Sequence, residues 1–387
     1  MNICQEILDK NVTNRYQAKD ENNYLLHSEN FLSKYLGKKY CLGVNSGASA
    51  IFLALMAIKE KIKNRIVYSN CFTFSAVPSA IVHAGLDLVM IETDSNLVLN
   101  LNDLENKIKK LKGNCLVLSY MRGFIPNIDK VLQICEKYDV LLIEDAAHAY
   151  GIKYENKKIC SFGLISTIST QSNKLINSGE GGFVLTDDPD IMAYCMISSG
   201  CYETNYLKHG TQTPPKDSIL KYLNKVPNFS LRMSNIQGGV IYQQLGNLEN
   251  LIEKINKSHL YICNYFDNNN KIEIIQQTSN VRPVYDSIQF RLYVSNSESD
   301  KIIKILESEY KIQRFNDIDN ARYYKSWQFL DEVKNNPNLV YDLTDKNLNN
   351  VFDMRLKHSL TEEELNKFCV SLEQAINQST TFESHLH

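Results

Sequence analysis

One short stretch of the chain places an acid and a lysine at a spacing that could do chemistry. Asp145 lies in Glu144-Asp-Ala-Ala-His148 at the end of an apolar run, and Lys174 follows 26 residues after His148 among small and polar residues. A carboxylate can hold the pyridine nitrogen of pyridoxal phosphate (PLP) protonated, and a lysine amine can form the Schiff base and later move protons. Asp145 and Lys174 are therefore the candidate catalytic residues.

The elements that must position these residues follow from the hydrophobic pattern. Short apolar runs alternate with helical periodicity from about residue 43 to 190. We predict strands at 66–68, 88–91, 115–118, 140–143 and 182–186. Repeated strand–helix–strand units of this length indicate an α/β fold with a mostly parallel sheet covered on both faces. Ligands bind beyond the carboxyl ends of such strands, where Asp145 and residues 70–74 are expected.

Capping-box patterns mark the starts of three further helices, near Asn102, Ser234 and Thr361. We expect the second of these helices to run unbroken through Leu251 and to link two domains. Residues 199–230 are less regular, and we interpret them as loops near the active site.

The length of 387 residues allows a large domain and a smaller one. We assign residues 1–245 to a large PLP-binding domain and residues 246–387 to a smaller C-terminal α+β domain. The polar tail after Asn377 is expected to fray.

The composition excludes several other classes of protein. The hydrophobic fraction of 43% and charged fraction of 22% are typical of globular proteins, and the net charge of −2 argues against binding to nucleic acid or a membrane surface. The 10 Cys and 8 His show no metal-ligand spacing, so no metal is expected. The first residues lack the pattern of a secretory signal and no run is apolar enough to span a membrane, which predicts a cytoplasmic protein.

Several further segments carry a resemblance to a known family. They are Asn45-Ser-Gly-Ala-Ser-Ala50, Cys71-Phe-Thr-Phe-Ser-Ala76, residues 143–188 and Ser230-Leu-Arg-Met-Ser-Asn-Ile-Gln237. With the Asp145 and Lys174 motifs, they make the chain resemble the StrS/DegT family of PLP-dependent aminotransferases from about Tyr24 to Ala375. The resemblance implies the type I aminotransferase fold, PLP as cofactor and a homodimer with active sites at the subunit interface.

The resemblance also implies roles in cofactor binding. Gly47 and Ala48 would bind the phosphate of PLP through their backbone N–H groups at a helix start, and Ser169 would contact the same phosphate. Phe74 would stack on the pyridine ring, and His148 would contact the ring hydroxyl.

For the catalytic pair, the resemblance implies that Asp145 pairs with the pyridine nitrogen and that Lys174 is the Schiff-base lysine. Lysine at this position separates the chain from related sugar dehydratases, which have histidine there.

Three positions depart from the family pattern. Ala48 replaces a threonine and Ser119 replaces a histidine, while Ser230 replaces an asparagine that reaches the phosphate of the other subunit's cofactor. Ser230 is retained as a candidate cofactor contact, and these departures leave its role open.

Three residues are candidates for substrate binding. Arg122 can hold a carboxylate in a bidentate fork, belonging to an amino donor or an acidic sugar, and an ordinary ion pair is the alternative. Gln171, two residues after Ser169, resembles a feature of the family branch that includes cyclitol and acid-sugar aminotransferases. Tyr120 directly follows Ser119 in the sequence.

The sequence thus predicts an aminotransferase that moves an amino group from glutamate or glutamine to a keto-sugar, nucleotide-linked or acidic, in polysaccharide or secondary-metabolite biosynthesis. One alternative is a PLP enzyme of the same fold acting on an amino-acid-like or other non-sugar substrate by transamination or elimination. The other is a non-catalytic regulator or binding protein, against which the intact Asp145 and Lys174 argue.

Overall fold

A computed structural model describes residues 3–381 of the chain. The strands are β1 (Tyr40–Val44), β2 (Ile66–Asn70), β3 (Asp87–Ile91), β4 (Cys115–Ser119), β5 (Leu141–Asp145), β6 (Lys153–Tyr154), β7 (Lys157–Lys158), β8 (Ile165–Ser169), β9 (Gly182–Thr186), β10 (Ile272–Ile274), β11 (Val281–Arg282), β12 (Ser287–Leu292), β13 (Ile312–Arg314) and β14 (Val351–Arg355).

The α-helices are α1 (Ile3–Asp9), α2 (Tyr24–Leu36), α3 (Gly47–Ile58), α4 (Ala76–His83), α5 (Leu101–Leu111), α6 (Ile128–Tyr138), α7 (Pro189–Ser198), α8 (Lys216–Tyr222), α9 (Asn235–Leu245), α10 (Leu248–Phe266), α11 (Asn296–Leu306), α12 (Asp331–Lys334), α13 (Asp342–Leu348) and α14 (Glu362–Thr381). No helix among residues 3–381 is long and apolar enough to cross a membrane.

A seven-stranded sheet forms the centre of the fold, in the order β1-β9-β8-β5-β4-β2-β3. Strand β9 is antiparallel to its neighbours β1 and β8, whereas the remaining pairs are parallel. The prediction of an α/β fold with a mostly parallel sheet is confirmed. Asp145 and Ser119 are register partners at the carboxyl ends of β5 and β4, so neighbouring strands deliver both residues to one edge of the sheet.

Alternate residues of the central strands enter two different hydrophobic cores. In β4, Leu116 and Leu118 pack into one core, while Cys115 and Val117 pack into the other. Burial on both faces explains why these strands are continuous apolar runs in the sequence. A third core lies between the antiparallel sheet β10-β12-β14-β13 and helices that include α10 and α14.

The helix starts agree with the sequence predictions in two cases and differ in one. Ser234 and Gln237 form the expected capping box of α9, and Thr361 and Glu364 exchange the same contacts before α14. The prediction for α5 is wrong by two residues, because the side chain of Asn100 accepts hydrogen bonds from the first-turn N–H groups.

Other element predictions are corrected by the structure. The helix expected through Leu251 is interrupted after Leu245, and α10 begins at Leu248. Residues 199–230, expected as loops, contain a 3-10 helix over Asn205–Gln212 and helix α8. In the tail after Asn377, helix α14 continues to Thr381, and residues 382–387 lie outside the described part of the chain.

Candidate active site

Two adjoining cavities lie at the carboxyl ends of the central strands. The smaller, of about 100 Å³, is bounded by residues that include Gly47, Asp145 and Ser169. The larger, of about 890 Å³, extends toward strand β14 and helix α14. Four side chains line both cavities and so stand at their boundary: Phe74, His148, Gln171 and Lys174. We call the smaller one the inner cavity and the larger one the outer cavity.

A chain of polar contacts fixes the amine of Lys174. Its Nζ atom lies 2.8 Å from Nε2 of His148, and Nδ1 of His148 lies 3.1 Å from Oδ2 of Asp286. Burial would raise the pKa of Asp286, but the positive charge of Arg355 and the hydrogen bond from His148 hold that pKa well below its usual value. Asp286 is therefore an ionised acceptor.

An ionised Asp286 settles which nitrogen of His148 carries the proton. A carboxylate only accepts, so Nδ1–H of His148 donates to Asp286 and Nε2 is left to accept from the amine of Lys174. Burial first, and then the charge of Lys174, lower the pKa of His148 well below its usual value, which keeps the ring neutral. The contact between Lys174 and His148 is thus a hydrogen bond from an amine to a neutral ring.

The amine of Lys174 is poised to lose its proton near neutral pH. Burial is the main cause that lowers its pKa to about 7, and the positive charges of Arg355 and Arg122 act in the same direction. The carboxylates of Asp286 and Asp145 oppose this shift. A lysine amine with a pKa near neutral pH can serve both as a nucleophile and as a base, and PLP chemistry requires both roles.

Asp145 is held by hydroxyl groups rather than by a base. Ser119 Oγ donates to Asp145 Oδ2 at 2.8 Å, Thr73 Oγ1 donates to Ser119 Oγ at 2.7 Å, and the backbone N–H of Ala147 reaches the other carboxylate oxygen at 3.2 Å. Burial raises the pKa of Asp145, and the hydrogen bond from Ser119 counteracts this. Ser119 therefore orients and supports the carboxylate.

The adjacent acid, Glu144, has a purely structural position. Strand residues alternate in direction, so Glu144 points away from Asp145 and into the core. It accepts from the Tyr120 hydroxyl at 2.9 Å, from the backbone N–H groups of residues 160, 162 and 163 and from Ser166 Oγ. These bonds tie the connection between β5 and β8 to the strand that carries Asp145.

One wall of the inner cavity is the start of helix α3. The N–H groups of Gly47 and Ala48 lie in the first turn, where a helix provides no partner for them. Ser169, at the end of β8, is so close that a Cβ atom on Gly47 would lie 2.9 Å from its Cβ. Backbone donors and a hydroxyl group thus meet in a place suited to a phosphate group.

Phe74 is 41% exposed, unusually open for a large aromatic residue in this part of the fold. Its ring borders both cavities, with the guanidinium carbon of Arg322 5.9 Å from the ring centroid. Arg322 comes close because the N–H of Thr73 donates to its carbonyl oxygen at 3.1 Å. The open ring face suits stacking of a planar group.

Two predicted site residues are not brought to these cavities. Tyr120 is buried, and its hydroxyl donates to Glu144 in the core. Tyr120 is therefore not part of the proposed site. Ser230 lines neither cavity; its hydroxyl accepts from Arg232 Nη2 at 2.8 Å. No described residue of the 199–230 segment lines either cavity, contrary to the expectation for that segment within one chain.

The substrate candidates Arg122 and Gln171 do line the outer cavity. Arg122 is buried and forms an ion pair with Asp353, so it is not a surface charge. Burial is the main cause that lowers its pKa to about 9. Gln171 Nε2 lies 3.4 Å from a carboxylate oxygen of Glu180.

Four charged residues that surround the Lys174 and Arg122 contacts were not predicted from the sequence, and all lie after residue 280: Asp286, Arg322, Asp353 and Arg355. A signal for two of them was present, because Asp353 and Arg355 alternate with apolar residues in β14 and so share one strand face. Arg322 lies outside regular structure, and no local pattern points to it. No group of three or more His, Cys, Asp or Glu side chains within the described residues could hold a metal ion.

This geometry agrees with a match to a family of known proteins. The model of the DegT/DnrJ/EryC1/StrS aminotransferase family matches residues 5–373, so the chain belongs to that family. The family predicted from the sequence is confirmed.

Two curated relatives match smaller parts of the chain. A protein of Methanocaldococcus jannaschii is 32% identical over 167 residues, 43% of each chain. GDP-perosamine synthase of Caulobacter vibrioides is 27% identical over 227 residues, 58% of this chain and 57% of that protein. The aligned segments thus span between 43% and 57% of the length of these relatives.

Solved structures match over nearly the whole chain. Helicobacter pylori PseC, an aminotransferase involved in the biosynthesis of pseudoaminic acid, superposes with a TM-score of 0.81 at 18% identity, covering 97% of this chain and 95% of that one. This likeness confirms the type I aminotransferase fold.

Proposed function

We propose that this protein is a PLP-dependent aminotransferase that transfers an amino group from glutamate or glutamine to a keto-sugar. The observation that carries the proposal is the Lys174 amine, hydrogen-bonded to a neutral His148 at the boundary of two cavities, one of which contains buried Asp145. The inner cavity is the proposed cofactor site and the outer cavity the proposed substrate site.

The residues of the inner cavity fit PLP at both of its ends. The first-turn N–H groups of Gly47 and Ala48, with the Ser169 hydroxyl, would hold the phosphate. Asp145 would hold the ring nitrogen, and the exposed face of Phe74 would stack on the ring.

His148 lies next to Lys174 and would contact the ring hydroxyl, as the family resemblance implies. When bound, PLP supplies an electron-poor ring that stabilises negative charge on the substrate carbon.

The protein's own groups would then act in sequence. Lys174 would hold the cofactor through its amine, and its pKa of about 7 would let the free amine take up a proton from the donor carbon and give it up again near neutral pH. His148, oriented by Asp286, keeps the Lys174 amine directed into the cavity. Asp145, supported by the hydrogen bond from Ser119, would keep the ring nitrogen protonated.

Substrate identity is proposed more broadly. An acceptor in polysaccharide or secondary-metabolite biosynthesis is supported by the GDP-perosamine synthase relative. The outer cavity, at about 890 Å³, has room for a nucleotide-linked or acidic sugar. Gln171 borders this cavity and remains a candidate substrate contact.

We also propose a cytoplasmic homodimer. Ser230 is kept as a contact to the partner's cofactor, because the partly exposed 228–232 segment lines neither cavity of its own chain. The large PLP-binding domain is proposed to cover residues 1–245 and the smaller domain 246–387, a division placed where α9 ends at Leu245.

A second candidate is a PLP enzyme that eliminates a group from an amino-acid-like substrate. The observation in its favour is Ser119, which supports Asp145 through a hydroxyl group where the resembling family has histidine. Both reactions can form a keto acid, but elimination would release ammonia or water without a second substrate, whereas transamination would keep the amino group on the enzyme until a second substrate accepts it.

The experiment records the visible absorption of purified protein with PLP, before and after addition of glutamate or glutamine. We expect a visible band that the donor removes, with one equivalent of keto acid formed per site and no free ammonia from the amino group transferred. The Lys174→Ala variant should lack the starting band. A wild-type protein that stays colourless with PLP would contradict the proposal, and release of the amino group as free ammonia, without its transfer to the cofactor, would favour elimination.

A further inference from the structure

Three arginine side chains line the outer cavity, which Lys174 also lines: Arg122, Arg322 and Arg355. Two carboxylates stand among them. Arg122 pairs with Asp353, and Arg355 Nη1 lies 2.7 Å from Asp286 Oδ2. Three guanidinium groups face two carboxylates, which leaves one positive charge in excess. Arg322 forms no ion pair with any residue in the described part of the chain.

The guanidinium groups also have N–H groups without acceptors. Within the described residues, buried Nε and Nη1 of Arg122 and buried Nε of Arg322 have no hydrogen-bond partner. Nη1 of Arg355 is within ion-pair distance of Asp286, but its angle is unfavourable for a hydrogen bond. The side chain of Arg122 is only 1% exposed, so its free N–H groups carry a desolvation cost that a bound acceptor would remove.

The position of these arginines relative to the reacting centre limits the kind of ligand that they could bind and the place where it would lie. A direct line of contacts runs from Lys174 through His148 and Asp286 to Arg355. The charges of Arg355 and Arg122 are both felt at the Lys174 amine. An anion between these arginines therefore belongs close to the carbon that exchanges the amino group. A planar carboxylate matches the fork of a guanidinium group.

We propose that Arg322 and Arg355, with Arg122 behind them, bind a carboxylate of the substrate within a few bonds of the reacting carbon. This inference rests on the proposed function, because it takes Lys174 as the reacting residue. The carboxylate has two possible sources, the amino donor and an acidic keto acceptor, which share this chemistry.

Succinate is the probe, because it is a carboxylate with neither an amine nor a ketone and cannot react. Its binding to the PLP-loaded protein is measured by calorimetry at low and high salt. We expect wild-type binding that weakens with salt, and binding at least about tenfold weaker in Arg322→Gln and in Arg355→Gln, since each removes a charge-assisted contact. Arg322→Lys and Arg355→Lys should keep part of the affinity.

Arg291→Gln is the matched control. Arg291 pairs with Glu273 and lines neither cavity, so its loss should leave succinate binding unchanged. Melting curves check that each variant is folded. Arg322 is the safer variant, because its removal leaves no carboxylate without its ion-pair partner. Equal succinate affinity in wild type and both glutamine variants, or no binding in any of them, would overturn the carboxylate site.

The source of the carboxylate is resolved by the donor half-reaction. If the arginine variants slow the reaction with glutamate but not with 4-aminobutanoate, which lacks the α-carboxylate, the donor supplies it. If both amines react at wild-type rates while succinate binding is lost, the acceptor supplies it. Absence of a visible PLP band would defeat the proposed function, and succinate binding to the same protein without PLP would still test the arginines.

Discussion

At the scale of single residues, the site is a set of charges whose protonation states follow from their neighbours. Asp286 is ionised and His148 is neutral, so the proton of the contact between Lys174 and His148 belongs to the amine. Asp145 is kept as an acceptor by two hydroxyl groups in series, those of Ser119 and Thr73. These protonation states decide which group donates and which accepts in each contact of the site.

The pH dependence of PLP capture tests the state of Lys174. Only the neutral amine attacks PLP, so the capture rate should rise as pH passes through about 7 and level off above it. Arg355→Gln removes a positive charge that lowers the pKa of Lys174 and should move the midpoint to higher pH. Asp286→Asn removes an opposing charge and should move the midpoint to lower pH.

The measurement is the initial rate at which visible absorbance appears on mixing protein and PLP across a pH series. The same reaction with a small-molecule amine corrects for the ionisation of PLP itself. A midpoint near that of an ordinary exposed lysine, or one that moves in the same direction in both variants, would contradict the account.

Ser119→Ala tests the hydroxyl support of Asp145. Loss of the 2.8 Å hydrogen bond removes a contact that counteracts the raised pKa of Asp145, so the carboxylate should bind the ring nitrogen less well. We expect PLP affinity to fall about tenfold to a hundredfold, the worth of a hydrogen bond to a charged group. Equilibrium titration followed by visible absorbance measures it.

Tyr120→Phe is the control for Ser119→Ala. It removes a hydroxyl one residue away that serves Glu144 rather than Asp145. Tyr120→Phe should lower the melting temperature while leaving PLP affinity unchanged. Equal loss of PLP affinity in the two variants would show that the effect of Ser119 is only structural.

At the scale of elements, the central strands were predictable from the sequence, whereas the break between α9 and α10 was not. The apolar runs of β2, β4 and β5 follow from burial on both sheet faces. The end of α9 at Leu245 was missed, because the apolar spacing continues into α10 and only Gly246 marks the interruption. Propensity at a single glycine is too weak a signal to outweigh a continuing pattern.

The packing of α2 on α9 gives a prediction about stability. A Cβ atom on Gly238 would lie 2.4 Å from Cα of Leu25, where backbone cannot yield, so Gly238→Ala should force the two helices apart. We expect it to lower the free energy of unfolding by about 1–3 kcal/mol. Denaturant titration measures the change.

Gly246→Ala is the matched control for Gly238→Ala. A Cβ atom at Gly246 would meet nothing within 4 Å, and its φ of −63° suits alanine. This substitution should be neutral or raise stability by about 0.4–1 kcal/mol, because it restricts the unfolded chain. Similar destabilisation by both substitutions would refute the close contact of α2 and α9.

At the scale of the whole molecule, the site joins residues that are far apart in the sequence. Lys174 and Asp145 were predictable because their roles are tied to local motifs. Arg355 and Asp286 were not, because only the folding of β14 and the start of β12 beside the central sheet brings them to His148. Residues that only the folded chain brings together have no characteristic spacing in the sequence from which their contact could be predicted.

Mixed dimers test the proposed contact of the 228–232 segment with a partner subunit. Lys174→Ala inactivates its own site, whereas Arg232→Ala should impair the partner's site, because Arg232 holds Ser230 in place. Refolding an equal mixture should restore about one quarter of wild-type donor activity, since half of the dimers carry one intact site of two. Unmixed variants are the controls, and sedimentation measures assembly. A monomer, or no recovery on mixing, would contradict the shared site.

The central claim is that Lys174 carries the cofactor. The most direct test is reduction of the PLP-loaded protein with borohydride, followed by digestion and mass spectrometry. The account predicts a pyridoxyl phosphate group on Lys174 in the wild type and no specific label in Lys174→Ala. A label on another lysine, or equal labelling of the variant, would contradict it.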